Sequence, residues 1–85
     1  MNVITINGTT GAGKTDALQV LAKVYQTQVM SVQDFESLLP ALNRNLVGLA
    51  PSTFIDDVPK KLLPKILKAV KHYPDDYFIY IAVAA

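Results

Sequence analysis

Between positions 8 and 15 the chain reads Gly8-Thr9-Thr10-Gly11-Ala12-Gly13-Lys14-Thr15, which meets the spacing G-x-x-x-x-G-K-[ST] at every specified position. Glycines at these places let a backbone curl so that successive N–H groups face one hollow, and the positive end of a following helix adds to their dipoles. Such a hollow holds oxyanions, above all the phosphates of a nucleotide. The ammonium of Lys14 would bridge the β- and γ-phosphates, and the Thr15 hydroxyl suits a hard cation that prefers oxygen ligands. The expected binding set is Gly8, Thr9, Thr10, Gly11, Ala12, Gly13, Lys14, Thr15 and Asp16, with ATP and Mg2+ as its cofactors.

A second candidate is the acidic pair Asp56-Asp57, which follows the β-branched and aromatic run Thr53-Phe54-Ile55. A carboxylate leaving the carboxyl end of a buried strand emerges where α/β proteins bind their ligands. Asp56 would then be a metal contact beside Thr15, and Asp57 would orient or deprotonate the water that attacks the γ-phosphate. The competing reading is that Asp57 caps the next helix, or that the pair opens a solvated turn before Pro59.

These groups need strands and helices to carry them. Val3-Ile4-Thr5-Ile6 reads as a strand ending at Asn7-Gly8. From Lys14 to Gln26, Asp16, Gln19, Lys23 and Gln26 recur at helical spacing. Opposite them Leu18, Leu21, Ala22 and Tyr25 form an apolar stripe that Ala17, Val20 and Val24 widen, which predicts a largely buried helix. Residues 28–32 form a short strand, and Ser31 with Asp34 three residues on resembles a capping box opening a helix through Phe35, Leu38, Leu39 and Leu42. Pro40 should kink or split that helix, with Gly48 as its terminator. Residues 53–55 make the third strand, Leu62 to His72 the third helix with Pro64 in its first turn, and Tyr77 to Val83 an apolar strand covered on both faces. Strands alternating with helices predict an α/β fold of three layers (α/β/α) around a four-stranded parallel sheet.

Composition bounds the rest. Eighty-five residues, 51% hydrophobic and 18% charged, make one globular domain over 1–85 with a modest core. A net charge of +1 carries no global signature of a nucleic-acid coat. The absence of cysteine removes disulfides and thiolate metal sites and fits a reducing compartment, so the cytoplasm is the expected location. The start of the chain lacks the pattern of a signal peptide, and the longest apolar run, from Tyr77 to Ala85, is far short of a membrane span.

Taken together, the chain resembles the P-loop NTPases, with Gly8 to Thr15 as Walker A and Thr53 to Asp56 as a Walker B-like strand. The Ile55-Asp56-Asp57-Val58 string is similar to the additional-strand division, which includes AAA+ and RecA-like ATPases. There the residue after the Walker B aspartate polarises water, which implies a catalytic part for Asp57 beside Lys14. That division implies the strand order 1-4-3-2. Physical reasoning agrees, because the last strand is the most apolar and would be hazardous as an exposed edge. Family members continue with a further strand, a sensor residue and a helical lid, whereas this sequence ends at Ala84-Ala85. The implication is a bare first strand and weak or partner-dependent hydrolysis, with a homo-oligomer or a larger NTPase joining at that edge. Two rival functions follow: a regulatory module that joins a larger NTPase, and a truncated nucleoside or nucleotide kinase, for whose acceptor site the chain is short.

Three further features are weighed against ordinary surface roles. Lys60, Lys61, Lys65, Lys68 and Lys71 cluster around the third helix, and Lys61, Lys65, Lys68 and His72 share one face. They form either a contact for DNA or RNA phosphates or a solvated face. Arg44, the one arginine, is either a finger toward a neighbour's γ-phosphate or part of an exposed segment. His72 has no second histidine or cysteine to share a metal with, and reads as a helix-end surface group.

Overall fold

The structure, a computed structural model, describes residues 1–8 and 13–84. Four strands, β1 (Asn2–Ile6), β2 (Met30–Ser31), β3 (Ser52–Val58) and β4 (Phe78–Val83), alternate with three helices, α1 (Lys14–Val24), α2 (Val32–Asn43) and α3 (Leu63–Val70). A three-ten turn at Lys60–Leu62 leads into α3. All strand pairs are parallel and the sheet order is β1-β4-β3-β2. The order 1-4-3-2 that the resemblance implied, with the apolar last strand inside the sheet, is the order found. β4 lies inside the sheet, with Ile79, Ile81 and Val83 packed to one side and Tyr80 and Ala82 to the other. Only its first residue, Phe78, stays exposed.

The two faces of the sheet are covered unequally. On one, Val32, Phe35 and Leu42 of α2 and Ile66 and Val70 of α3 meet Ile55, Val58, Ile79, Ile81 and Val83. On the other, α1 brings Leu18 and Ala22, with Leu21 half-buried beside them, to Phe54, Tyr80 and Ala82. This corrects the expectation of a largely buried α1: Val20 and Val24 are 63% and 70% exposed. A single helix lying over β3 and β4 offers the sheet one narrow stripe, and the flanking apolar positions face outward.

Local chemistry explains the helix ends. Ser31 accepts the N–H of Asp34 at 3.1 Å and caps α2 as its spacing predicts. Both α1 and α2 end on a left-handed residue, Gln26 and Asn45, each with φ near +56°. The following N–H groups return to Ala22 and Ala41 at 2.9 Å, satisfying carbonyls the helices leave open. Asn45, rather than Gly48, therefore stops α2.

Pro40 does not divide α2 as expected, since the helix runs unbroken from Val32 to Asn43. The proline leaves the Glu36 carbonyl without its helical donor. Both residues are exposed, so water can replace that bond, while Phe35 and Leu42 anchor the helix on either side.

Candidate phosphate-binding site

The site lies along the carboxyl edge of the sheet, where β1 feeds α1 on one face and β3 feeds α3 on the other. Of the predicted residues, Thr9, Thr10, Gly11 and Ala12 lie outside the described residues; the others can be placed. Gly13 precedes α1 with φ +78°, and nothing among the described residues stands within 4 Å of where a Cβ would be. Its glycine is required by backbone conformation, not by crowding. Gly13, as the N-cap, has no side chain to cap the first turn of α1, whose N–H groups are the kind that meet an anion, and the first helical bond runs from Ala17 to the Gly13 carbonyl at 3.0 Å.

Lys14 is half-buried and its ammonium donates to the Gly8 carbonyl at 2.8 Å and the Val83 carbonyl at 2.7 Å. The side chain thus reaches from the start of α1 to the ends of β1 and β4. Two carbonyl dipoles hold the charge at the loop entrance, and one of its three donors is left over.

Thr15 meets Asp56 across 41 positions of sequence. Its hydroxyl lies 3.0 and 3.2 Å from the two carboxylate oxygens. Asp56 also accepts the Asp57 N–H at 2.9 Å. The pair sits within β3, which runs on to Val58, whereas the sequence reading ended the strand at the pair itself. Ile55 pairs with Ile81 and Val58 with Val83, so Asp56 and Asp57 together face Ala82 alone: β3 carries one extra residue, a bulge.

The bulge solves a packing problem. Alternation from Ile55 would turn Asp57 into the core beneath α2 and α3 and Val58 away from it. With the extra residue Val58 is fully buried there, while Asp57 is put out to solvent with φ +54°. A carboxylate buried without a partner would cost several kcal/mol, so the irregular ladder is the cheaper arrangement. Asparagine accepts the left-handed region and a β-branched residue does not. Asp57→Asn is therefore expected to melt like the parent, and Asp57→Val to lose about 1–2 kcal/mol, a drop on the order of 10 °C. Equal melting temperatures for the two variants would contradict this backbone placement.

Asp57 lines a shallow cavity of about 260 Å³ with Gln19, Ser31 and Gln33. Asp16 lines a neighbouring hollow with Gln19, Lys23 and Gln28, between α1 and the segment leading into β2. Arg44 follows α2 as its C-cap. His72 lines the groove between α2 and α3. Among the described residues no three His, Cys, Asp or Glu side chains converge on a common point. The oxygen pair of Thr15 and Asp56 still suits magnesium, which keeps several waters and takes one or two protein contacts together with substrate phosphates. No helix among the described residues is long and apolar enough to cross a membrane.

Comparison with protein-family models, with curated proteins and with solved structures gives no match. The residues of the site must carry the functional reading by themselves. Sequence reasoning missed the Val83 carbonyl as a partner of Lys14, since a backbone acceptor leaves no mark in residue type. It also missed the bulge, whose one trace is that Val58 resumes the apolar pattern a position late.

Proposed function

We propose that the chain binds a nucleoside triphosphate, ATP with Mg2+, as a minimal P-loop domain of the additional-strand type, and that hydrolysis of the γ-phosphate is weak or depends on a partner. The observation that supports this most is the meeting of Thr15 and Asp56 at 3.0 Å, because two residues expected as metal contacts, 41 positions apart in sequence, share one point in space. In this reading the amides at the start of α1 and the Lys14 ammonium receive phosphate oxygens. Asp56 and Thr15 would hold magnesium, which when bound neutralises charge on the phosphates. Asp57, exposed beside Asp56, would accept a proton from water. The lack of cysteine suits work in the cytoplasm. Calorimetric titration with ATP and magnesium tests the proposal; saturable heat is expected, and its absence at millimolar nucleotide would sink it.

One observation favours a second reading, in which the chain joins another copy or a larger NTPase by its sheet edge. β1 is the outermost strand and carries neither charge nor proline to guard it. Val3 and Ile4, on opposite faces, are 36% and 37% exposed. Sedimentation velocity should then show concentration-dependent association that Ile4→Lys removes. A strict monomer at every concentration that turns over ATP unaided would contradict it.

A further inference from the structure

Charge is not spread evenly over this molecule. Five of its eight Lys and Arg residues lie between Lys60 and Lys71, and no Asp or Glu occurs from Val58 to Pro74. The rest of the chain holds three cations against all seven carboxylates. A net charge of +1 thus conceals one strongly basic segment in an otherwise acidic domain.

The fold turns that segment into a surface. Ile66, Ala69 and Val70 bury one side of α3, which leaves Lys65, Lys68, Lys71 and His72 exposed on the other. These four line one wall of a groove of about 940 Å³, with Asn43 and Asn45 at the end of α2 opposite. Lys60 and Lys61 extend the basic stripe toward the carboxyl edge of the sheet. Glu36 is the one acid in the lining. Ammonium groups and side-chain amides along a trench match the oxygens of a phosphodiester chain, and positioning contacts to nucleic acid are made by these residue types.

We infer that the groove between α2 and α3 binds the backbone of single-stranded nucleic acid. A basic trench along one helix follows a single backbone, which is how proteins hold single strands without reading their sequence. Recognition is by phosphate charge and is indifferent to base sequence. The site is separate from the nucleotide loop and does not rest on the function proposed for that loop.

The test is fluorescence anisotropy of a labelled, mixed-sequence single-stranded oligonucleotide, as DNA and as RNA, with the intact chain and no added nucleotide. Binding should weaken as potassium chloride rises, with a log–log slope of about −2 to −3 for three or four phosphates contacted. Lys65→Glu combined with Lys68→Glu should weaken it at least tenfold, and Lys23→Glu on α1 should leave it within about twofold, by the loss of local rather than total charge. If circular dichroism shows the double variant unfolded, Lys68→Gln should still weaken binding several-fold. No binding by the parent at low salt, equal loss from Lys23→Glu, competition by polyglutamate as strong as by the strand, or a preference for duplex would each overturn the inference. The Lys14→Ala variant should bind the oligonucleotide like the parent, so failure at the nucleotide loop and failure at this groove are told apart.

Discussion

Lys14→Ala is expected to remove calorimetrically detectable binding of ATP with magnesium. The ammonium is the one cation held at the mouth of the described part of the site, fixed by the Gly8 and Val83 carbonyls at 2.8 and 2.7 Å. Deleting one partner of a buried, hydrogen-bonded charge pair costs about 2–5 kcal/mol, or roughly thirtyfold or more in Kd. The amides at the start of α1 survive the substitution, so a weak residual affinity for phosphate is consistent with the account. Two carbonyls also lose their donor. Gly8 is exposed and water can take over at its carbonyl, whereas Val83 is buried, so the accompanying loss of stability should be about 1–2 kcal/mol. A melting curve on the same sample separates the two effects: a folded variant that no longer binds supports the assignment, and a folded variant that binds as tightly as the parent refutes it.

The second large effect concerns the thin side of the domain. Phe54 is 1% exposed and stacks on Tyr80, with ring centroids 4.6 Å apart and planes 4° from parallel. Tyr25 closes the cluster with its ring 6.0 Å from Phe54. Leu18, Leu21 and Ala22 of α1 lie over this layer, and closing the space of a lost ring would require the helix itself to shift toward the sheet. Phe54→Ala is expected to cost about 3–5 kcal/mol, including the lost aromatic pair. An 85-residue domain holds about 4–13 kcal/mol in total. Thermal denaturation followed by circular dichroism should shift down on the order of 20 °C, or the variant should be unfolded at room temperature. A shift of less than about 5 °C would mean that α1 does not press this cluster against the sheet.

Features with a local physical cause were readable from residue types. The cap at Ser31 needs only a hydroxyl before an amphipathic run, and the glycine at position 13 only a turn that requires positive φ. That the apolar run ending at Val83 cannot tolerate an edge gave the last strand an interior place, and the resemblance to the additional-strand division supplied the order 1-4-3-2. What escaped depends on partners distant in sequence. Pro40 reads as a break, yet Phe35 and Leu42 hold the helix through it. Val20 and Val24 read as core, yet a lone helix over β3 and β4 has too little sheet beneath it to bury them. The bulge at Asp56-Asp57 depends on where β4 puts Ala82, a matter of register rather than propensity. For the site, the pairing of Thr15 with Asp56 was foreseeable from chemistry, whereas the hold of Val83 on Lys14 was not.

The most direct test is to follow the backbone amide signals of the ¹⁵N-labelled protein while ATP and magnesium are added. Anion capture at the start of α1 predicts large, saturable shifts at Gly13, Lys14, Thr15 and Asp16, with smaller ones at Asp56 and Asp57 and little change along α3. Amides at positions 13–16 that stay unmoved at millimolar ATP, or shifts confined to the lysine-rich face of α3, would contradict it.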